Sequence, residues 1–151
     1  MMGDYHHILV GISGEMMDDK VLSTAERFLN PNVVLDVVCI IDYPEELLHM
    51  NGEAGPVDNE YNVSQHHSEK ARQYVENLLD QHHLLDKDNV HLHVFTGNAR
   101  HLLTHELPKQ FNSELIIIGR ANHIDFEDMM LGNITKHVAS KAPCDILLVN
   151  P

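Results

Sequence analysis

Gly119 and the pair Gly132-Asn133 frame the stretch of this sequence best suited to holding an anion. Leu115-Ile116-Ile117-Ile118 is a continuous apolar run, β-branched at three of its four positions, which suits a strand buried on both faces. Gly119 ends the run, and a polar loop follows from Arg120 to Asp128. Met129-Met130-Leu131 then leads into Gly132-Asn133-Ile134-Thr135, where a helical pattern begins. A strand that passes through a loop into a helix N-terminus leaves unpaired backbone N–H groups at the carboxyl edge of a sheet, where parallel α/β folds bind anions.

Other chemistries find less support. Gly11-Ile12-Ser13-Gly14-Glu15 lacks the final glycine of the Gly-x-Ser-x-Gly nucleophile elbow, and no Gly-x-x-x-x-Gly-Lys-Ser/Thr loop occurs. Asp125, Glu127 and Asp128 offer oxygen ligands to a hard cation but read better as a solvated loop. The chain has 13 His; His101 and His105 stand at i and i+4, and His91 and His93 share a strand face. Zinc needs three or four converging ligands, and neither pair is completed by a Cys or a carboxylate cluster, so these His read as scattered surface residues. No catalytic residue and no metal site is assigned. Cys39 and Cys144 lie in apolar segments and read as two buried free thiols.

These residues need elements to position them. His7 to Ile12 reads as the first strand, and Asp18 or Asp19 as the cap of a helix whose Val21, Leu22, Ala25, Phe28 and Leu29 recur at helical spacing. Asn30-Pro31-Asn32 stops that helix before a second buried strand, Val33 to Ile41. The segment from Asp42 to Asn62 holds Pro44, Gly52, Gly55, Pro56 and several carboxylates, and reads as a surface loop with a short helical turn near Glu45–His49. Ser64 then caps a long helix with Ala71, Tyr74, Val75, Leu78 and Leu79 inward. Val90 to Phe95 alternates as a strand. After Thr96-Gly97-Asn98 a helix turns Leu102, Leu103, Leu107 and Phe111 inward until Pro108 kinks or ends it. Following the Gly119 stretch, Ala142-Pro143 closes the last helix and Ile146 to Val149 forms a fifth strand.

The order β-α-β-α-β-α-β-α-β predicts a parallel sheet covered on both faces, in strand order 3-2-1-4-5. The switch point falls between strands one and four, so the loops after Ile12 and Ile118 line one crevice. A length of 151 residues suits a single domain, 1–151, with a core that needs neither disulfide nor metal. Ten Lys plus Arg stand against 23 Asp plus Glu, a formal net charge of −13, which excludes nucleic acid and an anionic membrane surface as expected partners. No apolar run approaches a membrane span and no basic, then apolar, leader opens the chain, so a cytoplasmic protein is expected.

Ile8-Leu9-Val10, Leu115-Ile116-Ile117-Ile118-Gly119 and above all Leu131-Gly132-Asn133-Ile134-Thr135 through Ala142-Pro143-Cys144-Asp145-Ile146-Leu147-Leu148-Val149 resemble the universal stress protein family over essentially the whole chain. The resemblance implies a Rossmann-like, adenine nucleotide alpha hydrolase-like fold and, in one branch of the family, a site for ATP or a related adenine nucleotide. Because Asp125, Glu127 and Asp128 crowd the loop with only Arg120 as a cation, phosphates there would be repelled unless Mg²⁺ intervened. The signature of that branch is Gly, two residues, Gly, nine residues, Gly, then Ser or Thr. Gly119 and Gly132 keep its outer spacing, whereas Asn122 replaces the middle glycine and Asn133 the Ser or Thr. By the same matching Gly119, Asn122, Gly132, Asn133 and Ile134 meet phosphates, and Gly11, Ile12, Ser13 and Ile40 hold base and sugar. Ser13 stands where ATP-binding members carry Asp. At most slow ATP hydrolysis is implied.

The last strand, Ile146–Val149, is expected at the sheet edge and is apolar throughout. Pairing with its copy in a second chain would satisfy its backbone and bury Ile146 or Leu148 across a two-fold axis, a homodimer that the resemblance also implies. Two readings follow: a dimeric nucleotide-binding stress sensor, or an interaction module of the same fold that binds no nucleotide and offers the acidic loop and Asp42–Asn62 to a protein partner of unspecified identity.

Overall fold

The computed structural model describes residues 5–14, 17–41, 57–120 and 136–150, of 57–67 the backbone alone. Five parallel strands form one sheet in the order β3-β2-β1-β4-β5: β1 (His7–Ile12), β2 (Val34–Ile41), β3 (Val90–Thr96), β4 (Leu115–Gly119) and β5 (Asp145–Val149). The expected order is the observed one. Every connection is long, as parallel pairing requires. α1 (Met17–Glu26) and α2 (Val57–Gln81) follow β1 and β2. A helical rod made of α3 (Ala99–His101), a π-helical turn (Leu102–Glu106) and α4 (Leu107–Gln110) follows β3. α5, described over 136–141, precedes β5.

Alternation along the strands separates two cores. Ile8, Val10 and Ile12 of β1 with Leu35, Val37 and Cys39 of β2 face Val21, Leu22 and Ala25 of α1 and Val75 and Leu79 of α2. Leu9, Val38, Ile116 and Ile118 face Leu102, Leu103 and Leu107 of the rod and Val138 of α5. Each such side chain, once fully buried, contributes roughly 1.5–3 kcal/mol of transfer free energy. α1 packs on β1, β4 and β5, and α2 on β2 and β3, so every strand is covered on that side.

Several expectations are corrected. α2 begins at Val57, seven residues before the expected cap at Ser64, so 57–62 is helix rather than loop. A helix anchored by Val75, Leu78 and Leu79 gains one hydrogen bond for each residue it propagates, and needs no apolar stripe over its first turns. The turn expected near Glu45–His49 lies outside the described residues.

Pro108 does not end the rod but sits in the first turn of α4, which runs on to Gln110 after the π turn. There Leu107 N–H reaches Leu102 O, an i→i+5 bond; the widened turn makes room for a ring that has no N–H to give. Tyr74 is 37% exposed rather than buried. Cys144 is half-buried, its thiol pushed up to about 11 by burial and by Asp145, while Cys39 is buried as expected.

Two His are not scattered surface residues. His82, nearly buried, brings Nε2 within 2.6 Å of Asp19 Oδ1 and Nδ1 within 3.2 Å of Glu26 Oε1, tying the end of α2 to α1. His93 reaches buried Asp36 at 3.0 Å and lies against Phe111, ring centroids 4.6 Å apart. The expected His pair at 101 and 105 does meet, with ring centroids 5.2 Å apart. Among the described residues no three His, Cys, Asp or Glu converge as metal ligands, and no helix is long and apolar enough to cross a membrane.

Candidate functional site

β1 and β4 are hydrogen-bonded neighbours, Ile8 with Leu115 through Val10 with Ile117, yet the chain leaves β1 for β2 on the opposite side. The switch point therefore falls between β1 and β4 as expected, and the carboxyl ends of these strands are where open α/β sheets bind ligands. Ile12 pairs with Cys39, so one step further Ser13 falls opposite Ile40. Gly11, Ile12, Ser13, Ile40 and Gly119 thus share one sheet edge. Asn122, Gly132, Asn133 and Ile134 lie outside the described residues, as do Asp125, Glu127 and Asp128.

The five do not present themselves alike. The Ile12 side chain is in the core beneath α1 and α2, so only its backbone meets the edge; Ile40 packs against the opposite core, beside the rod. Ser13 and Gly14 are exposed. Gly11 is glycine because a Cβ there would stand 2.9 Å from Ile118 Cγ2. Gly119 has a comparable structural duty: a Cβ would sit 3.1 Å from both Met17 Cβ and Val21 Cγ2, where α1 crosses β4. Its smallness lets the helix lie close to the strand end.

At the tip of β1 an acidic side chain organises the loop. Asp18, expected as a helix cap, is instead inside the first turn of α1 and only 2% exposed. Its Oδ1 accepts from Ser13 N–H at 2.9 Å and the Ser13 hydroxyl at 3.2 Å; its Oδ2 accepts from Gly14 N–H at 2.7 Å and the Tyr74 hydroxyl at 2.7 Å. Gly14, at φ +84°, supplies the left-handed turn that aims two consecutive amides at one carboxylate. Four donors offset the cost of burying this charge.

The chemical consequence is directional. The loop after β1 is an anion nest whose guest is the protein's own carboxylate, so an incoming phosphate meets a negative charge here, while the Ser13 hydroxyl oxygen keeps lone pairs for a neutral donor. Burial raises the Tyr74 phenol well above its ordinary value, with its hydrogen bond to Asp18 and the charge of Asp18 adding to the effect. Burial, then the same charge, pushes the Cys39 thiol up. Arg120, which directly follows β4, is turned to the β5 side: its backbone N–H donates to Val149 O, and its guanidinium to Asn150 Oδ1 at 2.9 Å.

Asp18 was legible in a way the cap assignment missed. Positions 18, 21, 22 and 25 are i, i+3, i+4 and i+7, which puts the carboxylate on the buried stripe of α1 rather than at its solvent end.

Comparison with known proteins places this geometry. The sequence profile described as "Universal stress protein family" matches residues 4–150. The chain is 26% identical to the Universal stress protein E homolog of Haemophilus influenzae, over 99% of its own length and 50% of the other's, and so spans about half of that relative. Among solved structures it resembles the hypothetical protein MJ0577, studied for a structure-based assignment of biochemical function (TM-score 0.75, 17% identity, 97% of this chain and 96% of that one). It also resembles a universal stress protein in complex with cAMP (TM-score 0.63, 14% identity, 96% of each chain).

Proposed function

The chain belongs to the universal stress protein family, and from that premise we propose that it binds an adenine nucleotide at the β1–β4 edge and works as a dimeric stress-response sensor rather than as a fast enzyme. The observation that carries the reading is the polarity of the edge. Asp18 makes the β1 corner inhospitable to phosphate and leaves it suited to sugar and base, with the exposed Ser13 hydroxyl, the Gly11 and Ile12 backbone and the half-buried Ile40 at hand. Phosphates then extend past Gly119 toward Asn122, Gly132, Asn133 and Ile134, whose backbone N–H groups would receive them. Mg²⁺ would screen the phosphates from the carboxylates of the intervening loop. A related protein of the same fold holds cAMP, an adenine nucleotide, which supports the class of ligand.

A second reading rests on the same carboxylate. The β1 loop amides are already satisfied within the chain, as they would be in an interaction module of this fold that binds no nucleotide.

One experiment separates the two. Purified protein is acid-denatured and the supernatant assayed for adenine nucleotide, and the melting temperature is taken with and without Mg·ATP. At 100 times its dissociation constant a ligand adds about 2.7 kcal/mol of stability. Released nucleotide or a raised melting temperature supports the sensor. Neither, at millimolar Mg·ATP, leaves the interaction module.

A further inference from the structure

We propose that the cleft between the helical rod and α5 is a receptor for a compact polyphosphate group. Arg100 on the rod and Lys136, His137, Ser140 and Lys141 on α5 line a cleft of about 350 Å³. The chain has 10 Lys and Arg against 23 Asp and Glu, yet three of those ten gather here with a histidine and a serine hydroxyl, and no carboxylate among the described residues lines the cleft. Nor does any of the three lie in an ion pair among the described residues. Neighbouring like charges repel. In so acidic a chain, cations collected without a carboxylate are a feature that an anionic guest would satisfy.

The cations stand on fixed elements. Lys136 with Ser140 and His137 with Lys141 are i, i+4 pairs on α5, while Val138 and Ala142 hold the other side of that helix to the core. The Arg100 carbonyl takes the Thr104 hydroxyl at 2.6 Å, Asn98 Oδ1 takes His101 N–H at 3.1 Å, and Leu102 is buried directly after. Arg supplies a planar fork and Lys a point charge, the pairing suited to phosphate oxygens.

The size and the surrounding charge select the guest. An extended nucleic acid would be repelled by the rest of a molecule at −13, whereas a cleft of this volume suits a di- or triphosphate. Two sources share that chemistry: free inorganic polyphosphate, or the phosphate tail of a nucleotide whose base lies at β1. Only the second rests on the nucleotide reading.

The test is calorimetric titration of the full chain at low ionic strength with sodium triphosphate and, separately, with ATP. Wild type is compared with Arg100→Gln/Lys141→Gln and with Lys20→Gln/Lys109→Gln, a control of equal charge at exposed sites elsewhere. The expected result is triphosphate binding weakened by about tenfold or more in the cleft variant and held within about twofold in the control. If ATP binding weakens in parallel, the guest is the nucleotide's tail; if triphosphate alone responds, it is free polyphosphate, whether or not ATP binds. No triphosphate binding at millimolar concentration, or equal loss in both variants, overturns the proposal and leaves the β1–β4 site untouched. Amide shifts in wild type under triphosphate need no variant to fold: they are expected at Arg100 and over 136–141, and their confinement elsewhere also overturns it.

Discussion

Asp18 decides what the carboxyl edge can accept. Both of its oxygens are committed twice, to two amides and two hydroxyls, inside the protein. Asp18→Asn keeps the shape but turns one acceptor into a donor facing donors, leaving a buried N–H group opposite other N–H or O–H groups. The expected loss is about 3 kcal/mol in urea unfolding. Tyr74→Phe removes only one of the four bonds at a partly exposed ring and is expected to cost about 1 kcal/mol or less. Equal, small losses for the two would show that the carboxylate does not organise the loop. Helical spacing already put Asp18 on the buried face of α1. Its partner Tyr74, 56 residues on, was legible only as part of a stripe, because a phenol that leaves its ring partly exposed while its hydroxyl reaches a buried carboxylate looks in sequence like any inward aromatic.

At the scale of elements, the start of the sheet is held by Glu114, which precedes β4 and accepts from the amides of His6 at 2.7 Å and His7 at 3.0 Å, at the mouth of β1. Those two amides hold the Glu114 carboxyl below the usual range. A carboxyl depressed in the folded state adds stability that is present above its unfolded value, about 4.3, and lost as pH falls through the folded value. Glu114→Gln should therefore lower the melting temperature at neutral pH and flatten the decline below about pH 4.3, whereas parallel curves for variant and wild type would remove Glu114 from the acid limb. The strands themselves were legible because β-branched apolar runs of this length have one comfortable home, a sheet covered on both faces. The first turns of α2 were not, since their residues carry the polar pattern shared by loops and solvated helices. Nor was the π turn, because a proline signals a disturbed helix without saying that an i→i+5 bond will absorb it.

For the whole molecule the open question is what meets the two sheet edges, β3 and β5. Along β3 the His93, Phe95 and Phe111 rings gather, and Asp36 sits behind them. β5 offers Ile146, Leu147 and Leu148, all only half-buried, with the exposed Asp145 at its start engaged by the Tyr5 hydroxyl at 2.6 Å. A short apolar edge with so little charge on it favours pairing with its own copy. Light scattering at micromolar concentration should then give about twice the chain mass of 17.2 kDa, and Leu148→Lys the mass of one chain with a cooperative melt retained. A wild-type monomer, or a dimer indifferent to Leu148→Lys, would break the argument. Charge supplies a second handle. Two chains of −13 each bring −26 together, so added salt should tighten the dimer by screening their repulsion. The same salt should loosen any anion held by Arg100, Lys136 and Lys141. Opposite salt responses from one molecule would separate a hydrophobic edge acting against its net charge from a basic cleft acting in spite of it.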